Sequence, residues 1–347
     1  MIPKIQLHNI MMGCDPEFFF SQNNKIIGSE KILPAKGLAT SGSKITRDGI
    51  QAELNPTPHT CRKLLANEIR WCFKTITKQI PKNTQINLSQ NIKVTKSEMN
   101  SLSEESKQFG CKPSTNIYKT ESSINLIDAS KFYSRSAGGH LHLGIPSQST
   151  NLNLLKALNS PKHTVPFLDL IVGNTCVLID RDKSNITRRK LYGQAGEYRQ
   201  LENRIEYRTL SNFWLKNYTL MSFVTGLARM AVSIAAESYK HPKIKKTLFS
   251  QINTKDIIEA INKNNTKLAM KNFNAIKNTL SEIMEENSHT TPLNKETIPL
   301  FLFFAKKGIN YWFTENPTTH WTQLNTQINN GWESFLLTTV QQEYARK

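Results

Sequence analysis

Gly138-Gly139-His140-Leu141-His142-Leu143-Gly144 alternates imidazole and leucine between glycines. A period of two predicts a strand, with His140 and His142 on one face and Leu141 and Leu143 turned into a core on the other. The glycines at its ends remove side chains where a backbone or a ligand must come close. A lone His-x-His also suits hydrogen-bonded surface histidines, so its meaning depends on the rest of the chain.

Three further stretches put charged residues on strands in the same alternating way. Asp15 and Glu17 lie in GCDPEFFF, Gln51 and Glu53 in DGIQAELNP, and Arg204, Glu206 and Arg208 in RIEYR. Strands avoid acids, so carboxylates inside apolar strand patterns need a compensating charge, and the available compensators are arginines and metal ions. One sheet face carrying carboxylates, imidazoles and arginines suits divalent metals that bridge nucleotide phosphates. Carboxylate-rich coordination points to Mg²⁺, and the imidazoles also admit Mn²⁺. Taken singly, each piece has a structural reading: Asp15-Pro16 as a turn, Glu53 as a partner for a lysine, Arg-x-Glu-x-Arg as an ion-pair ladder.

The chain has 347 residues, enough for one large domain or two of ordinary size. We expect no membrane span, because no apolar run approaches the roughly 20 residues required, and no signal peptide, because MIPKIQLHNIMMG lacks an apolar core. The expected location is the cytoplasm. Five cysteines without C-x-x-C spacing read as reduced, structural thiols. The net charge of +18 asks for an anionic partner, such as nucleic acid, a nucleotide, a surface polymer or a carboxylate substrate, or else reflects lysine-rich solvated faces.

In chain order, Glu17 to Phe20 reads as a strand, Ser21 to Asn24 as a turn, and Lys25 to Gly28 as the returning strand. Leu33 to Lys44 reads as a loop and Ile50 to Leu54 as a strand. A helix N-capped by Thr60 is expected to run to Pro81 and cover the sheet. His163 to Asp180 reads as a buried helix with Pro166 in its first turn, and Arg181 to Gly196 as a basic irregular loop. Beyond Trp214, helices are expected over Tyr218 to Ser238, Ile257 to Ile261, Phe273 to Met284 and Ile298 to Ala305, with Trp312, Trp321 and Trp332 in core or docking roles. Gly110-Cys111-Lys112-Pro113 echoes Gly13-Cys14-Asp15-Pro16.

GCDPEFFF with its hairpin, DGIQAELNP, GGHLHLG and GEYRQLENRIEYRTLSNFW together resemble the phage-type carboxylate-amine ligases (COOH-NH2 ligases, amidoligases) of the glutamine synthetase and glutamate-cysteine ligase superfamily. The resemblance covers about Gly13 to Trp214. It implies an α+β fold with a curved antiparallel sheet, covered by helices, over residues 1–215; the helical pattern beyond Trp214, which the resemblance does not cover, reads as a mainly helical region packed on it over residues 216–347. It also implies an ATP- and Mg²⁺-dependent enzyme that phosphorylates a carboxylate and lets an amine displace the phosphate. Phosphorylation makes sense because a carboxylate is a poor electrophile.

By motif, the resemblance assigns Asp15, Glu17, Glu53, His140 and Glu206 to metal. His142, Arg204 and Arg208 fall to the nucleotide, and the two histidines could exchange roles. Arg208, Arg199 and Glu206 become the catalytic set, with Arg199 as a carboxylate or phosphate clamp. Asp15 stands where the superfamily usually has Glu, Asp48 is a doubtful partner for Glu53, and Lys112 occupies a position where an acid is usual. The implied substrates are small-molecule or peptide carboxylates and amines, with cell-wall or surface-polymer acceptors among them; the oligomeric state stays open. Two alternatives remain: a basic nucleic-acid-binding protein on a degenerate fold, and a guanidino-type phosphotransferase.

Overall fold

The computed structural model describes residues 5, 7–108, 114–119, 133–147, 149–283 and 316–324. Its strands are β1 (Met11–Gln22), β2 (Lys25–Ile27), β3 (Leu38–Thr40), β4 (Ser43–Asp48), β5 (Gln51–Asn55), β6 (Thr84–Asn87), β7 (Asn91–Lys93), β8 (Thr115–Asn116), β9 (Ser134–Ser136), β10 (Gly139–Gly144), β11 (Glu197–Leu201) and β12 (Arg204–Tyr207). Ten of them form one antiparallel sheet in the order β3-β4-β5-β1-β10-β12-β11-β8, with β2 and β6 added on the far half of β1. β7 pairs with β9 separately. The fold is α+β.

The central strand sorts its side chains by parity. Met12, Cys14, Phe18 and Phe20 are buried in the core with Leu141, Leu143, Ile205 and Tyr207 from the neighbouring strands. Asp15 and Glu17 share the opposite face, as the period of two requires. Gly139 opens β10 where no side chain fits: its carbonyl accepts from Trp214 Nε1 at 3.0 Å, and a Cβ there would stand 2.6 Å from that nitrogen.

Helices pack on the sheet and on one another. They are α1 (Arg62–Thr77), α2 (Lys96–Asn100), α3 (Glu104–Lys107), α4 (Leu152–Leu158), α5 (Pro161–Leu168), α6 (Asn174–Ile179), α7 (Ser184–Leu191), α8 (Tyr218–Lys240), α9 (Pro242–Ser250), α10 (Thr254–Asn262) and α11 (Thr266–Ile283). α8 packs against α1, α4, α5 and β10. Its Leu220–Lys240 stretch is long and apolar enough to cross a membrane, contrary to the sequence expectation, but 89% of its most apolar stretch is buried inside the protein. Trp321, in the helix Pro317–Gln323, is buried and stacks on Phe73 of α1, so its core role is met. Expectations for Ile298 to Ala305, Trp312, Trp332 and Gly110 to Pro113, including Lys112, lie outside the described residues. The described cysteines are free thiols.

Four local expectations are corrected. Within Leu33 to Lys44 the chain forms the β3–β4 hairpin, because the Gly/Ser signal belongs to its tip, where Gly42 has φ +106°. The N-cap of α1 is Cys61, one residue after the expected Thr60 and without a side-chain cap hydrogen bond, and the helix ends at Thr77; the bridge between His59 and Met12 holds the chain extended before the helix. The buried helix starts at Pro161 rather than at His163, so Pro166 is interior, and a π-helical segment over Asp169–Gly173 separates α5 from α6. Arg181 to Gly196 contains α7. Arg188 donates to the carbonyls of Thr209 and Leu210, and Arg189 to that of Ile261, so two arginines of the expected loop are buried in a helix.

Candidate active site

The registers bring the four polar stretches onto one surface. Asp15 stands opposite His140, Gly13 opposite His142 and Glu17 opposite Glu53; His142 and Arg199 both stand opposite Glu206. Asp15 Oδ1 lies 3.1 Å from His140 Nδ1, and Asp15 Oδ2 lies 3.1 Å from His142 Nε2. His140 Nδ1 is also 3.6 Å from Glu206 Oε1. Glu206 is fully buried and held by two arginines: Arg199 reaches Oε2 at 2.8 Å, and Arg208 reaches Oε1.

Asp15, His142 and Glu206 each offer a ligand atom within 4.8 Å of the others, and Glu17, Asp48 and Glu53 form a second such group. Asp48 joins because it ends β4 opposite Gln51, which puts it on the face of Glu53. The period of two through Thr46 and Asp48 carried that signal, although the Asp-Gly turn obscured it. Glu17 is oriented by Gln51 Nε2 at 2.8 Å, the Gly138 amide at 2.6 Å and the Tyr192 hydroxyl at 3.1 Å. Tyr192 was missed in the sequence, because a tyrosine in a basic stretch gives no periodic signal.

Electrostatics match this crowding. Burial, and then repulsion from Asp15, Asp48 and Glu17, pushes the Glu53 carboxyl up to about 9. Burial works in the same direction on Asp15, but the two imidazoles outweigh it and hold that carboxyl well below the usual range. Asp15 Oδ1, His140 Nδ1 and His142 Nδ1 are buried without a hydrogen-bond partner. Mutually repelling carboxylates, unsatisfied donor atoms and an oxygen-rich ligand set fit divalent Mg²⁺ or Mn²⁺.

Beside the first group opens a cleft of about 750 Å³. Its polar lining residues are Asp15, His142, Asn55, Glu202, Asn203 and Arg204, and its apolar ones include Met11, Pro56, Pro58, Ile145 and Leu201. Arg204 is exposed, whereas Arg208 lies buried behind Glu206. Arg204 thus lines the open cleft, and Arg208 is out of solvent against Glu206. Every site residue expected from the sequence lies on or at the edge of this surface.

The family model described as phage phiEco32-like COOH.NH2 ligase-type 2 matches residues 114–305. No curated protein matches the chain in sequence. Among solved structures, the chain is similar to a bifunctional glutathione synthetase from Pasteurella multocida, with 9% identity, a TM-score of 0.38, and coverage of 78% of this chain and 49% of that one. It thus spans about half the length of that protein. It is also similar to a glutamate–cysteine ligase from Francisella tularensis in complex with AMP, with 11% identity, a TM-score of 0.46, and coverage of 99% of this chain and 89% of the other.

Proposed function

Because the chain belongs to the phage phiEco32-like COOH.NH2 ligase-type 2 family, we propose that it joins a carboxylate to an amine at the expense of ATP, through an acyl phosphate. The observation that carries this reading is the pair of ligand groups, Asp15–His142–Glu206 and Glu17–Asp48–Glu53, on one sheet face beside a cleft. Asp15, Glu206 and the two histidines would hold one divalent ion, and Glu17, Glu53 and Asp48 a second. Such ions supply Lewis-acid neutralisation of phosphate charge.

The cleft is assigned to ATP, with the base between the prolines and Ile145 and the phosphates toward His142 and Arg204. A carboxylate oxygen of the substrate attacks the γ-phosphorus in line, the bond to the bridging oxygen breaks, and ADP leaves. The amine nitrogen then attacks the acyl carbon, loses a proton and expels phosphate. Arg208 and Arg199, the guanidiniums flanking Glu206, balance the charge that develops on the transferred group.

We assign residues 1–215 to this catalytic unit and residues 216–347 to its helical support, working in the ATP-supplied cytoplasm. The excess of 18 positive charges supports an anionic carboxylate or polymer-derived acceptor. The test is calorimetric titration with ATP in the presence of Mg²⁺, wild type beside Glu206→Gln, followed by a carboxylate screen with hydroxylamine as the amine. The expected result is metal-dependent ATP binding by wild type alone and hydroxamate with one carboxylate class. ATP binding by neither protein would remove the assignment, and ADP release without hydroxamate would favour a phosphotransferase.

A further inference from the structure

Tyr192 follows α7, and its ring lies beneath two guanidiniums, with Arg188 Cζ at 4.8 Å and Arg208 Cζ at 5.4 Å from the ring centroid. Its hydroxyl links one ligand group to the histidine beside the other: it donates to Glu17 Oε1 at 3.1 Å and contacts Nε2 of His140, whose Nδ1 faces Asp15 and Glu206. Gly138 makes room for this, since a Cβ there would stand 2.5 Å from the phenol oxygen.

A phenol has one proton to give. With that proton directed to Glu17, the oxygen accepts from His140, which fixes the imidazole proton on Nε2. Nδ1 is then the position that faces Asp15 and Glu206, at 3.1 and 3.6 Å, and it is buried without a hydrogen-bond partner. Two carboxylates converging on that nitrogen ask for a cation between them.

Resting on the metal reading above, we propose that Tyr192 is a positioning residue for metal binding: it sets the His140 tautomer with Nδ1 presented to the ion, and through Glu17 it ties that ligand to the second carboxylate group. Neighbours of this kind that orient a ligating histidine typically change metal affinity by about 10- to 100-fold.

The test is calorimetric titration of the full chain with Mn²⁺ alone, comparing wild type, Tyr192→Phe and Gly138→Ala, with thermal unfolding in EDTA as the measure of folding. We expect Tyr192→Phe to bind Mn²⁺ about 10- to 100-fold more weakly while unfolding at nearly the wild-type temperature. Gly138→Ala, whose Cβ would crowd both the phenol oxygen and His140 Nε2 and so break their contact, is expected to lose affinity and to mix the His140 tautomers likewise, and its tautomer reading carries the test should Tyr192→Phe not fold. The ¹⁵N spectrum of the Mg²⁺-loaded protein is expected to show His140 protonated at Nε2 in wild type and mixed in Tyr192→Phe. Wild-type Mn²⁺ affinity and an unmixed tautomer in both variants would overturn the role of Tyr192 and leave the metal reading standing. Absence of Mn²⁺ binding by wild type would overturn both.

Discussion

Glu17 and Glu53 stand directly opposite each other on β1 and β5, two carboxylates in register with Asp48 close by. Carboxylates so placed cannot both ionise without a positive charge between them, so in the metal-free protein Glu53 holds its proton up to about 9, at a cost to stability at neutral pH. Glu53→Gln is therefore expected to stabilise the metal-free protein by about 1 kcal/mol and to weaken the stabilisation that Mg²⁺ gives. Differential scanning fluorimetry with EDTA and with Mg²⁺ reads both effects, and a variant stabilised by Mg²⁺ as strongly as wild type would remove Glu53 from the ion site.

Arg208 is buried, bound to Glu206 and laid against Tyr192, a setting that uses the planar fork and not only its charge. Arg208→Lys is expected to lower ADP formation about 10²- to 10³-fold while Mn²⁺ still binds. Rate and calorimetry measured on the same preparation separate a transfer role from a structural one. A near-normal rate would end the assignment.

The cleft assignment has its own check in Ile145, which lines the cleft and belongs to neither ligand group. A tryptophan there takes up space that a nucleotide base would need. Ile145→Trp is expected to weaken Mg-ATP binding about tenfold or more, the loss of at least 1.4 kcal/mol, and to leave Mn²⁺ affinity unchanged. Full ATP affinity in this variant would direct the nucleotide elsewhere.

Asp169, in the π-helical segment, lies on the other side of the sheet, where its Oδ1 accepts from Tyr207 at 2.8 Å. Burial pushes its carboxyl up to about 7 from an ordinary 3.8, against the lowering effect of its hydrogen bonds. The folded state then holds this proton more tightly than the unfolded chain, so its contribution is fully present below about pH 4 and is lost as pH rises through 7. The span corresponds to about 4 kcal/mol. Asp169→Asn, which keeps an acceptor for Tyr207, is expected to remove this fall in stability between pH 5 and 8; denaturant melts across that range, unchanged in slope from wild type, would contradict it.

Strand alternation made much of this surface readable. Asp15, Glu17, Glu53, His140, His142 and Glu206 stand out because acids and imidazoles interrupt otherwise apolar strands, and parity alone puts each set on one face. α7 was hidden for the opposite reason: Arg188 and Arg189 are buried through hydrogen bonds to distant carbonyls, and helical patterning counts them as polar. Tyr192 was hidden because its partners, Glu17 and His140, are far from it along the chain.

The sequence by itself determined the strands that bear the site, the sidedness of their residues and the chemistry that one face could hold, since local alternation and the dislike of strands for acids are properties of short segments. Only the tertiary structure decided which acids and imidazoles come within ligand distance of one another, that Asp48 joins Glu53, that Tyr192 links Glu17 to His140 and that Arg208 is buried while Arg204 is exposed. Strand order and register set those distances, and they follow from contacts between segments up to about 200 residues apart, which no local pattern encodes.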